Sequence, residues 1–146
     1  VKKGESVMKN VLGIVLVAAT MVFASSAKAQ EFRVKADVPF DFSIDKQAYH
    51  AGEYDIQKLN TTLLLVDSGN GSARTIVRPL MCSSQKPASS TKLVFHRVGQ
   101  SYFLYQIWVE GRTYGREFPT PKMETELLAH NGEKPVDVIV AAIIEK

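Results

Sequence analysis

Cysteine is almost missing from this chain: Cys82 is the only one in 146 residues. A single thiol excludes an intrachain disulfide and, with it, the cross-linked frameworks that hold many small exported scaffolds together. It also excludes Cys-rich zinc sites, so Cys82 is expected to pack as a small apolar side chain. Histidine is nearly as scarce, and His50, His96 and His130 lack the paired spacing of metal ligands; His50 precedes Glu53 without the second His of a metalloprotease helix. No metal and no cofactor is expected. Phosphate loops are lacking as well, because Gly69-Asn70-Gly71 is followed by neither a third Gly nor a Walker lysine. There is no Gly-x-Ser-x-Gly elbow, and the Ser-x-x-Lys matches at Ser43, Ser83 and Ser89 stand without the Lys-Thr-Gly element that accompanies them in penicillin-binding enzymes.

Long apolar runs are equally rare. The one long uncharged run, Val11 to Ala24, falls short of the roughly 20 residues of a spanning helix, and Ser25, Ser26 and Lys28 follow at once. With Met8-Lys9-Asn10 before it and Ala27-Lys28-Ala29 after it, the run reads as a secretory signal peptide cleaved after Ala29. Met8 is the natural initiator. Gln30 stands where a lipoprotein anchor would need Cys. The expected organisation is therefore a cleaved signal over residues 1–29 and a single β-rich domain over residues 30–146, without a membrane span after cleavage, in the periplasm or outside the cell.

A surplus of positive charge is lacking too, once the signal is set aside. The formal charge of +3 comes from 18 Lys and Arg against 15 Asp and Glu, but Lys2, Lys3, Lys9 and Lys28 against Glu5 alone lie in residues 1–29. What remains is formally neutral. Nucleic acid is excluded as a partner on this ground, since phosphate binding needs a concentrated basic surface.

What the mature part does have is period two. Phe32, Val34, Ala36, Val38, Phe40, Phe42 and Ile44 occupy the even positions, with charged and polar residues between them, the pattern of a half-buried strand. Pro39 predicts a bend, or a change of partners, within it. Ala51-Gly52 marks a turn before a strand over Glu53 to Leu59, with Tyr54 and Ile56 inward. Ser68-Gly69-Asn70-Gly71-Ser72 predicts a hairpin between Thr62–Val66 and Ala73–Leu80, and Ser83 to Thr91 reads as a loop. Lys92–Val98 and Tyr102–Val109 form a second hairpin around Gly99-Gln100, with Phe95 opposite Leu104 and His96 opposite Phe103. Its second strand is apolar on both sides, Phe103, Tyr105, Ile107 and Val109 against Tyr102, Leu104 and Trp108, which predicts a covered interior strand. The cover is a helix opened by Thr120-Pro121 and ended by Asn131-Gly132, with Met123, Leu127 and Leu128 inward. Val136 to Ile144 reads as a buried last strand. About eight strands and one short C-terminal helix predict an all-β antiparallel sandwich or barrel.

Several of these segments carry a resemblance. Val34 to Phe42, Ala51-Gly52-Glu53-Tyr54, and Lys92 to Arg97 with Tyr102-Phe103-Leu104 and Ile107-Trp108 resemble a family of small exported bacterial β-rich proteins of uncharacterised role. The resemblance covers most of the mature chain. It implies a β-rich fold and no particular catalytic residue.

Chemistry-bearing side chains concentrate in the second hairpin and beyond. His96, Arg97, Tyr102, Trp108 and Arg112 are the candidate binding residues, with Tyr105, Tyr114 and Arg116 nearby. Flat amphipathic rings beside cations suit a sugar, a peptide or another envelope component. The competing reading is packing, with Tyr105 and Trp108 in the core and Tyr102 beneath the helix. Together these residues predict a binding or envelope-associated structural module using an aromatic patch or a sheet edge, and not an enzyme. The alternative is a small hydrolase or isomerase, which needs a pocket where His96 meets a carboxylate.

Overall fold

Alternation of apolar and polar side chains makes Arg33–Val38 a strand, with Val34, Ala36 and Val38 buried and Lys35 and Asp37 exposed. The computed structural model describes residues 33–145, and the expected signal peptide lies outside the described residues. In chain order the elements are β1 (Arg33–Val38), β2 (Phe42–Ile44), β3 (Gln47–Tyr49), β4 (Gly52–Lys58), β5 (Leu64–Ser68), β6 (Arg74–Val77), β7 (Leu80–Ser83), β8 (Lys92–Val98), β9 (Ser101–Trp108), β10 (Tyr114–Glu117), α1 (Lys122–Asn131) and β11 (Val136–Ile144). The fold is mostly strand with one short helix, and the strands form a curled, open sheet, a half-barrel.

The main path of the sheet runs β3-β2-β9-β8-β11-β1-β4-β5-β6, with β10 branching from β9 to pair β7. All pairings are antiparallel except the single bridge of Ser43 with Phe103 between β2 and β9, which is parallel. Eleven strands replace the eight expected. Part of the difference arises where Pro interrupts an apparently continuous run, and part because β3 and β10 form in segments not expected as strands. At Pro39 the chain bends and changes partners: β1 lies between β4 and β11, whereas β2 lies between β3 and β9. A two-residue turn at Asp45-Lys46 then returns β2 as β3, with Asp45 at φ 52, a left-handed conformation that Asp tolerates better than most residues. Arg78-Pro79 likewise divides the expected Ala73–Leu80 strand into β6, paired with β5, and β7, paired with β10.

The β8–β9 hairpin has the expected register, Phe95 with Leu104 and His96 with Phe103, around a turn in which Gly99 supplies φ 61. Beyond it the pairing shifts. Val94 lies opposite Gln106, so Tyr105 is the extra residue of a bulge. The bulge resets the alternation, and both Leu104 and Ile107 join the core while Phe103 and Tyr105 lie on the outer side with His96. The expected division of this strand into two faces therefore holds through Tyr105 and fails from Ile107 onward.

The concave side holds the core, including Val34, Ile56, Leu93, Phe95, Ile107 and Val140, with Phe118 packed against them. Aromatic rings fill the part nearest β2. Phe42 meets Tyr49, Tyr54 and Phe95 at centroid distances of 5.2, 5.0 and 5.2 Å, the separations at which offset and edge-on ring pairs are favourable. Tyr102 stacks on Phe40 at 3.9 Å, so it closes the rim of this cluster instead of packing beneath the helix.

Helix α1 starts at Lys122 after Pro121, and Gly132, at φ 66, caps it by donating its N–H to Leu128 O. Both ends fall where Pro and Gly predict them. Its inward face does not: Met123 is exposed, Leu127 and Leu128 are half-buried, and the one buried residue is Glu124. Ten residues make a helix of about 15 Å, enough to cover the β8 end of the outer face but no more. As a result β11 is interior in the sheet, between β8 and β1, yet buried on one side only. Val140 faces the core, whereas Ile139 and Ile143 are 61% and 65% exposed.

Candidate functional site

Because the sheet curls, its two terminal strands, β3 and β6, come to face each other. Between them lies a cleft of about 730 Å³ with Gln47 and Ala48 on one wall, Thr75 to Arg78 on the other, and Ile44 and Phe118 behind. Each wall is a strand with a ladder partner on one side only. The backbones do not pair across the gap; Thr75 Oγ1 donates to Gln47 Oε1 at 2.7 Å, a side-chain clasp between strands 28 residues apart in sequence. Tyr49, next to Ala48 on β3, is 2% exposed and is not among the side chains that line the cleft. Burial pushes its phenol above the ordinary value, opposed by Thr75, which faces it but has given its own proton to Gln47.

Lys46 and Arg78 lie at the mouth with Asp45, giving it a positive balance. Every one of these cleft residues escapes sequence reasoning, because they come from segments that only the curl brings together. The one local signal is Asp45-Lys46, a polar pair between alternating runs that marks a hairpin turn. A second groove, of about 700 Å³, crosses the outer face of β1, β4, β5 and β11. Some of its charged side chains are paired: Arg33 with Asp55, and Arg33 and Lys35 with Glu145 at 3.1 and 3.0 Å.

The candidate residues named from sequence are not brought into one patch. His96 lies under α1, its side chain 12% exposed, with Nδ1 2.6 Å from Glu124 Oε1, Nε2 3.6 Å from Asp137 Oδ1, and Tyr105 stacked on the ring at 3.8 Å. A His does meet a carboxylate. Acid–base work, however, needs one ring nitrogen free to reach a substrate, and here both nitrogens face carboxylates. Tyr105 has its phenol raised, by burial first and by Glu117 second. Arg97 is exposed and lies opposite Tyr102. Trp108 and Arg112 lie at the other end of the hairpin, about 20 Å from Tyr102 at ~3.3 Å per residue. Arg112 donates from Nη1 to Tyr114 Oη at 3.1 Å and lies over that ring at 5.5 Å, while Arg116 pairs in register with Ile107 and Met81.

Trp108 is half-buried against β10. Its Nε1 donates to Gln106 Oε1 at 2.9 Å, and Gln106 Nε2 donates to Glu117 Oε2 at 2.7 Å. Gly115 lets the indole lie flat, since a Cβ there would come within 2.7 Å of Ile107 O and 3.0 Å of the indole ring. Gly115→Ala is therefore expected to cost about 1–3 kcal/mol, as overpacking does, with a shifted Trp108 emission maximum in fluorescence; unchanged emission and stability would refute this packing. Cys82, opposite Gly115, is half-buried with its thiol pushed up, chiefly by burial.

Among the described residues no group of three or more His, Cys, Asp and Glu side chains is placed to hold a metal ion, and no helix is long and apolar enough to cross a membrane. Compared with family models, curated proteins and solved structures, the chain matches none.

Proposed function

We propose that the chain is an exported binding module, acting in the periplasm or outside the cell, and that its ligand enters the cleft between β3 and β6. The observation carrying this reading is that the cleft combines open strand edges on both walls with an apolar back wall. Ligand sites are typically concave, mainly apolar and equipped with a few convergent polar groups. By contrast, the polar groups around His96, Trp108 and Arg112 satisfy one another. Export is supported by the basic start, apolar run and Ala-x-Ala ending over residues 8–29.

The enzyme alternative rests on His96 between Glu124 and Asp137. One experiment separates the two. Amide and imidazole NMR shifts are followed while the protein is titrated separately with chitotriose, dihexanoyl phosphatidylglycerol and a capped Val-Glu-Val-Glu-Val peptide. The expected result is that at least one probe shifts residues 47–48 and 75–78, and that Ala48→Trp, which fills the cleft, abolishes the effect. Shifts centred on His96 would favour the enzyme, and shifts around Trp108 would return the site to the aromatic patch. No cleft response to any probe would sink the proposal.

A further inference from the structure

We infer that the cleft takes an extended peptide as an additional strand, one in which apolar and acidic residues alternate; this rests on the cleft being the binding site. The two ends of the sheet order, β3 and β6, both open into the same gap. Free strand edges carry unpaired N–H and C=O groups, the template on which peptides bind by strand addition. The clasp from Thr75 to Gln47 runs from side-chain tip to side-chain tip, and β3 and β6 have no backbone pairing with each other at the ~4.8 Å of neighbouring strands. An inserted strand would use both edges at once, displacing the clasp between Thr75 and Gln47.

The side chains then select the peptide. Residues of a strand alternate between faces. On the inner side of the cleft stand Val77, Ile44 and Phe118, all packed on the core, so inward peptide residues should be apolar. The exposed lining residues include Lys46, Arg78 and Ile76. Asp45 is the one acid among the cleft residues. Outward peptide residues should therefore be acidic. A sugar would use neither the paired edges nor this alternation.

The test uses four capped pentapeptides followed by NMR and calorimetry: Val-Glu-Val-Glu-Val, the same peptide N-methylated at its central residue, Val-Lys-Val-Lys-Val, and a Val-Glu-Pro-Glu-Val version. The first is expected to shift Gln47 to Tyr49 and Arg74 to Val77. N-methylation, proline and charge reversal should each weaken binding by about tenfold or more, the worth of one lost strand hydrogen bond or charge contact. Lys46→Glu with Arg78→Glu should invert the preference between the Glu and Lys peptides. Equal binding of the methylated and parent peptides would overturn strand addition while leaving the cleft as a binding site. Cleft shifts with chitotriose but none with the peptide would overturn the peptide while leaving the cleft. Failure of all probes removes both. Concentration-dependent sedimentation together with no peptide binding would assign the open edges to a second copy of the chain and overturn the inference.

Discussion

Replacing Glu124 with Ala is expected to destabilise the fold by about 1–3 kcal/mol, the cost of leaving a buried hydrogen-bonding group without its partner. Glu124 is 2% exposed and sits 2.6 Å from His96, whose own side chain is 12% exposed. Little else holds α1 down, because Met123 points to solvent and Leu127 and Leu128 are only half-buried. Loss of the pair should therefore release the helix before the sheet. In urea unfolding the expected signature is a lower midpoint together with faster hydrogen exchange in residues 122–131 than in β8. His96→Ala should cost at least as much, since the carboxylate it abandons is the more deeply buried partner. His96→Leu with Glu124→Leu replaces both hydrogen-bonding partners and fills the space, and should return stability to within about 1 kcal/mol of the original or above it. A cost below about 1 kcal/mol for Glu124→Ala would mean that the pair is hydrated and that the helix is held some other way.

This pair also shows where sequence reasoning stops. The limits of α1 are local properties, set by Pro121 and Gly132, and they are legible residue by residue. Its inward face is not, because Glu124 belongs inside only when His96, 28 residues earlier, waits beneath it. The β8–β9 register is legible for a similar reason: a two-residue turn at Gly99-Gln100 leaves the pairing of Phe95 with Leu104 little freedom. The bulge at Tyr105 then inverts the faces, and no feature of Leu104-Tyr105-Gln106 announces it. Alternation itself conceals the β2–β3 hairpin's origin, since the even positions stay apolar from Val34 through Ile44 while the chain changes partners at Pro39. The cleft follows from that change and from the curl, so none of its residues stands out in a linear reading. Aromatic and cationic side chains do stand out, and they are spread over both faces and both ends of one hairpin.

The second large effect is expected at Phe42, on which one wall of the cleft depends. β3 has no ladder partner but β2, and β2 is tied to β9 only through Ser43 and Phe103. So few backbone bonds cannot hold a hairpin of two three-residue strands in place. The hold comes from Phe42, 4% exposed, which contacts Tyr49 on its own hairpin, Tyr54 on β4 and Phe95 on β8. Phe42→Ala should cost about 3–5 kcal/mol, the range for emptying a ring-sized space in a core. The loss should be local as well as global: amides of residues 47–49 should exchange fastest among the strands, and the Thr75–Gln47 clasp should open. Phe42→Leu keeps much of the volume and should recover part of the stability and the protection of β3. If the cleft binds as proposed, Phe42→Ala will lose ligand even at temperatures where the sheet remains folded, whereas Gly115→Ala, on β10 against Trp108, will keep it. Protection of β3 equal to that of β8 in Phe42→Ala would show that the ring cluster is not what fixes this wall.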